Sequence, residues 1–300
     1  MRKGIALLTA VGMLAGMIVP VSAEDQIITY KGEQEIILTE AGAADLTLED
    51  LFEKTKTAVE NTDDLALFMK MDIDAAITAD MEGTPMSMDM AIRGDMSQSK
   101  HNGVEYNVEK MLMSFSGMNM DSTSEEYVFT NAGGTKVSVK KDRSADSEEG
   151  SAEETADTWV AEAVVESGDD TDLDIGTESM SSFASEDLYS LFELLDTMYT
   201  DGEKNYYVLK GNVSDILAEA FSDLEMMFGE VDVDAPCYLL LAEDGMLESL
   251  YMDLGQIQGI KDEENGTETS FSKFLISVYT EESSEIVIPY EVQAAGDAVA

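Results

Sequence analysis

The one imidazole in this chain of 300 residues, His101, stands directly before Asn102-Gly103, a dipeptide that marks a tight turn. Serine, cysteine and threonine nucleophiles need an imidazole or an equivalent base within hydrogen-bond reach, and a lone histidine at an exposed turn supplies none. Carboxylates are abundant instead: 63 Asp and Glu face 17 Lys and Arg. With that many acids a close pair arises by chance, so no pair singles itself out for acid-base hydrolysis of a glycoside. The single Trp also leaves little aromatic surface on which a sugar could stack. The chain is read as a protein that is not an enzyme.

Two patterns have metal-ligand residue types. Asp170, Asp172, Asp174 and Gly176 imitate a calcium loop, but Ile175 replaces the required Gly and Ser181 the closing Glu, so an EF-hand is rejected. A solvated acidic loop with room for weak calcium binding is the expectation. Met86, Met88 and Met90, with Met69/Met71, Met111/Met113 and Met118/Met120, resemble thioether arrays that hold Cu(I). They share alternating rows with Ile73, Ile77, Ile92 and Phe115, as core or pocket positions do, so packing is expected there rather than copper, and no metal or cofactor is assigned. Methionine is unbranched and polarizable. It suits an adaptable ligand cavity and the irregular gaps of a filled core equally well, and the sequence leaves both open.

Charge and compartment narrow the partners. A formal net charge of -46 repels phosphate backbones and anionic headgroups, which excludes nucleic-acid binding and polybasic docking on a membrane. Arg2 and Lys3, the apolar run over residues 5–19 and Val21-Ser22-Ala23 read as a signal peptide of residues 1–23, cleaved after Ala23. That run is shorter than the ~20 residues needed to span a bilayer. No other segment is long and apolar enough to do so, and the residue directly after the cleavage site is Glu24 rather than Cys. The expectation is a secreted or cell-envelope protein. Cys237, the sole cysteine, forms no internal disulfide and reads as a buried strand residue. Self-repulsion of so many acids should destabilise the fold at low ionic strength. Melting temperature should therefore rise from about 0.01 M to about 0.15 M salt, as the Debye length falls from ~30 to ~8 Å. It should rise with millimolar calcium as well, and insensitivity to both would argue against clustered surface acid.

Thr47-Leu48-Glu49-Asp50 reads as a capping-box start, and Leu48, Leu51, Phe52, Thr55 and Val59 share one face at helical spacing up to about Asn61. The period then changes to two. Met69, Met71, Ile73, Ala75, Ile77, Ala79 and Met81 alternate with a wetter row, and Met86, Met88, Met90 and Ile92 resume the pattern after Gly83-Thr84-Pro85. A four-residue loop between Met81 and Met86 sets Ala79 opposite Met88, Ile77 opposite Met90 and Ala75 opposite Ile92, all on one dry face. Strands are expected on both sides of Asn102-Gly103, over 104–113 and 125–130, and again over 136–140. Residues 142–157 hold no Leu, Ile, Val or Phe and read as a flexible acidic insertion. Residues 159–165 return to strand composition. Ser185 begins a helix with Leu188, Leu191, Phe192, Leu195 and Met198 on one face, Ser214 begins another with Leu217, Phe221, Leu224 and Phe228, and 206–209 is a strand between them. Sheet returns over 238–243, 246–254, 271–280 and 285–289.

This order assigns the chain to the α+β class: one large curved antiparallel sheet, an open half-barrel, with about three helices covering its concave face. The leading helix, the Gly-turned meander, the Trp159 strand, the strand from Tyr206 to Gly211 between helices and the closing Ile286-Val287-Ile288-Pro289-Tyr290-Glu291-Val292 resemble the LolA/LppX-like superfamily of half-barrel lipid and lipoprotein carriers. The likeness covers residues 46–292 as a single domain, with 24–45 an N-terminal lead-in and 293–300 a C-terminal tail. Many exported members carry a lipobox cysteine, which is missing here. The resemblance implies a soluble carrier that holds an apolar ligand, such as a lipid acyl chain, between sheet and helices. Met71, Ile73, Ile77, Met88, Met90 and Ile92 are the residues expected to line it. The alternative is an acidic cell-surface or matrix interaction protein with a solid half-barrel core, whose acidic face binds cations weakly or a basic partner.

Overall fold

A computed structural model describes residues 26–81, 84–116, 118–146, 158–164, 186–220, 235–255, 257–262 and 267–299. Residues 1–23, expected to be a signal peptide, the calcium-like loop and residues 147–157 of the expected acidic insertion lie outside these residues. β1 (Gln26–Lys31) and β2 (Gln34–Ala43) form an N-terminal hairpin and α1 (Leu48–Asn61) follows. A meander then runs through β3 (Leu65–Met81), β4 (Thr84–His101), β5 (Val104–Phe115), β6 (Met118–Thr130) and β7 (Lys136–Asp146). Next come β8 (Val160–Ala163), α2 (Glu186–Ser190), β9 (Phe192–Leu194), β10 (Thr197–Thr200), β11 (Asn205–Asn212) and α3 (Val213–Ala220). β12 (Pro236–Ala242), β13 (Leu247–Asp253), β14 (Ile257–Asp262), β15 (Thr267–Glu282) and α4 (Tyr290–Asp297) close the fold.

The strands form one open, curved antiparallel sheet in the order β1-β2-β10-β11-β12-β13-β15-β3-β4-β5-β6-β7-β8, with β14 on β15 and β9 on β11. Its longest strands follow from the period-two pattern and from tight turns. Asn102 and Gly103 both take positive φ, 51° and 75°, the conformation a two-residue hairpin requires. The Thr47 hydroxyl accepts from the Asp50 amide at 3.1 Å while the Asp50 carboxylate accepts from the Thr47 amide, so the expected capping box starts α1.

Three layers cover the sheet. Leu51 of α1, Leu188 and Tyr189 of α2 and Val213, Ile216 and Leu217 of α3 pack on the inner face over β11, β12, β13, β15 and β3, which makes the main core. Behind that region the β1-β2 hairpin folds across the outer face. Its Lys31 ammonium pairs with Glu248 at 2.9 Å and its Tyr30 ring lies 4.6 Å from that of Tyr251. Ile36, Leu38, Tyr206, Val208 and Leu240 are buried between the two. Strands β11 and β12 are therefore dry on both faces, which is why Tyr206-Tyr207-Val208-Leu209 and Tyr238-Leu239-Leu240-Leu241 run apolar without alternation. At the other end of the sheet α4 seats Val292 on Tyr127, Phe129, Val137 and Val139 as a third core.

Several elements differ from the sequence reading. The lead-in at 24–45 contains the β1-β2 hairpin. The helix expected over Leu188–Met198 stops at Ser190, and Phe192 and Leu194 pair with Gly211 and Leu209 instead. Sheet pairing overrides the helical spacing because Gly211 leaves room for the Phe192 ring, which a Cβ there would meet at 2.9 Å. The start of α3 is held by the Asn212 side chain, which accepts from the Ser214 amide at 2.9 Å, so Ser214 is not the cap. Residues 285–289 join no strand, although Ile286 and Ile288 do turn toward the third core. Most of the supposed tail, to Asp297, is α4. Residues 142–146 continue β7 opposite residues 120–124, so that part of the acidic insertion is ordered by the backbone ladder rather than by apolar burial.

Candidate functional site

Strand register settles which side chains share the inner face. Ile73 stands opposite Ile92, Ala75 opposite Met90 and Ile77 opposite Met88. Met81 pairs with Thr84, so the connection spans two residues rather than four and the expected pairing shifts by two. A shift of two preserves the face, since side chains alternate with a period of two. The next strands extend the rows: Met90 to Phe115 and Met118, and Ile92 to Met113 and Met120.

This face is divided. Met71, Ile73 and Ile92 are buried at 7%, 0% and 2% exposure, inside the main core. Met71 lies over Gly94, where an added Cβ would come within 3.0 Å of its methyl carbon. Ile77 and Met90 are half-buried at the margin of that core, and Met88 is half-buried beside them. Beyond them Met86, Met118 and Met120 are 51%, 50% and 46% exposed. The six residues expected to line a ligand therefore split into three that pack and three at the edge of an open apolar strip. Met113 and Phe115, outside that set, belong to the same strip. Alternation alone placed all of these residues on one face and gave no sign of where the covering layer ends.

The outer face of the same strands carries a different feature. A trough of about 540 Å³ crosses four strands and is lined by Asp74, Ala76, Asp89, Ala91, Ser114, Ser116, Ser270 and Ser272, together with the intervening Ala75, Met90 and Phe271. Small side chains in adjacent register, Ser270 beside Ala76 and Ala91 beside Ser114, leave the hollow. Next to it the Arg93 guanidinium holds Asp72 at 2.8 Å and Asp74 at 2.6 Å, and Lys273 also pairs with Asp72. Arg93 donates further to the Ile73 carbonyl at 2.8 Å. Such a cross-strand network ties β3, β4 and β15 together on the wet side. Nothing in the linear sequence marks this trough, because its signal, small residues at matching positions of four strands, exists only after pairing.

Reactive groups are few. Burial pushes the Cys237 thiol up to about 12, so it is protonated and inert at neutral pH, as a packed strand cysteine should be. His101 sits beside Asp64, with Nδ1 2.6 Å from the carboxylate, at the end of β4 and away from any nucleophile named above. Among the described residues no group of three or more His, Cys, Asp and Glu converges in a way that could hold a metal, and no helix is long and apolar enough to cross a membrane.

No family model matches the chain, and no curated protein matches it. Among solved structures it is similar to a DUF1329 family protein from Desulfovibrio piger, 9% identical, over 83% of this chain and 98% of that one, with a TM-score of 0.19. At that score the likeness carries no argument about function.

Proposed function

We propose that the protein is an exported, non-enzymatic carrier that holds an apolar ligand such as a lipid acyl chain against the open part of its inner face. The observation that carries this reading is the half-covered strip formed by Ile77, Met88, Met90, Met113 and Phe115 with the exposed Met86, Met118 and Met120. Contiguous apolar surface of this kind marks interaction sites, and methionine re-packs around irregular apolar shapes. The fully packed Ile73, Ile92 and Met71 form the floor from which the strip extends, so the ligand in this reading lies at the margin of the helices. The likeness to half-barrel lipid carriers supports the same reading.

Uptake of a fluorescent fatty acid tests it. Ile77→Trp and Met90→Trp fill the strip and should weaken uptake by at least about tenfold, a change of ~1.4 kcal/mol. Because both positions are half open, stability should move by less than the ~1–3 kcal/mol that overpacking costs in a closed core. Asp89→Trp, on the opposite face of β4, should leave uptake intact. If the wild type takes up no probe and both inner-face variants are strongly destabilised, the row is core and the carrier reading falls in favour of a solid acidic interaction protein. Native mass spectrometry of the purified protein adds an independent readout, because co-purifying lipid supports the carrier.

A further inference from the structure

Three methionines stand in adjacent register where the inner face runs out from the main core. Met113 on β5 stands directly opposite Met120 on β6, and Met118 is opposite Phe115, one step along the same face. Directly opposed side chains in an antiparallel pair have Cβ atoms about 4.5–5.5 Å apart, and diagonal ones stand about 7–8 Å apart. Three long, flexible side chains therefore start within reach of a common point.

Packing accounts for Met113, which is half-buried against the main core, but not for its two neighbours on β6. Met118 and Met120 are 50% and 46% exposed, and methionines filling a core gap would be covered. Strand propensity does not account for them either, since Val, Ile, Thr and the aromatics are the side chains that a pleated surface favours. What methionine brings and leucine does not is a polarizable thioether sulfur, a ligand for soft cations. The row Ile92-Met113-Met120 runs from the main core, where Ile92 is buried and Met113 packs, out to Met120, which is 46% exposed, so packing explains the inner end of the Cu(I)-like array and not its outer end.

We propose that Met113, Met118 and Met120 form a thioether site for a soft monovalent cation, Cu(I). The net charge of -46 gathers cations of every kind near the surface, so selectivity for Cu(I) rests on sulfur and not on charge. Cu(I) binding is separable from the carrier reading, because sulfur neighbours and competition with a Cu(I) chelator report on thioether coordination, which an acyl chain does not provide.

The test is an anaerobic titration of the full chain with Cu(I) in competition with a chromogenic Cu(I) chelator, alongside X-ray absorption of the loaded protein. One ion per chain with sulfur neighbours is expected. The triple variant Met113→Leu, Met118→Leu, Met120→Leu should lose affinity by more than about 100-fold, because even partners outside a ligand set cost about 10–100-fold when removed. Its melting temperature should match the wild type, which shows that the loss is one of ligands and not of fold. Met71→Leu, in the buried part of the face, should keep Cu(I) affinity, and single Met120→Leu should show a partial loss. Undiminished Cu(I) affinity in the triple variant, or an oxygen-only ligand shell, overturns the proposal. Absence of fatty-acid uptake with Cu(I) binding intact counts against the carrier reading alone.

Discussion

Phe274→Ala should lower the unfolding free energy by about 3–5 kcal/mol, the cost of a large cavity in a core that collapses only partly. Phe274 is 0% exposed, packs edge-on against Phe271 with ring centroids 5.3 Å apart, and stands opposite Ile73 where β15 meets β3. Its backbone belongs to the long β15-β3 ladder, whose hydrogen bonds prevent the sheet from closing the gap. Met120→Ala, on the same face of the sheet and 46% exposed, should cost no more than about 0.5 kcal/mol, as surface changes do. Urea unfolding of the two variants, with unchanged denaturant slope, reads the contrast directly. Similar losses at the two sites would mean that the open strip of the inner face is covered in solution, and an uncovered strip is the basis of both the carrier reading and the thioether site.

Gly296→Val should cost about 1–3 kcal/mol by forcing α4 off the sheet. A Cβ at Gly296 would come within 2.7 Å of the Phe129 ring and 3.1 Å of Val137, so the helix can seat only where its backbone touches those side chains. The joint is held at its far end by Asn131, whose amide donates to the Gly296 and Val299 carbonyls at 3.0 and 3.1 Å. The Asn131 side-chain Oδ1 accepts from the Thr135 amide at 2.9 Å. Asn131→Ala removes all three bonds, although the Gly296 carbonyl still accepts from the Val299 amide at 3.2 Å, and should cost about 1–3 kcal/mol by itself. The two changes break one joint, so the double variant should lose less than the sum of the single losses. Hydrogen exchange should open at the backbone amides of α4 and of the β6-β7 turn. A neutral Gly296→Val, or full additivity, would show that α4 is not a stabilising layer.

Much of the fold is legible in local pattern. The Thr47 cap, the Asn102-Gly103 turn, the β3-β4 hairpin and the shared face of Met71, Ile73, Ile77, Met88, Met90 and Ile92 each depend on residues close together in the chain. Where the chain read differently, a distant partner decided. Leu188 to Met198 has helical spacing, yet Phe192 and Leu194 pair with a strand that supplies Gly211 opposite the ring. Residues 142–146 have no apolar residue apart from Ala145 to anchor them, yet they continue a ladder that β6 offers.

The candidate site divides in the same way. Alternation with a period of two is a property of the strand itself, so the sequence determined which residues share the inner face, and the two-residue slip in the hairpin left that assignment unchanged. Which part of the face is covered depends on strand order, because α1, α2 and α3 pack over the central strands and Met118 and Met120 lie beyond them. Met113 and Met120 become neighbours only when β5 and β6 pair, and the outer trough exists only when four strands bring Ser270, Ala76, Ala91 and Ser114 side by side. Burial is a property of what lies on top of a residue, and in this sheet that layer comes from segments far away in the chain.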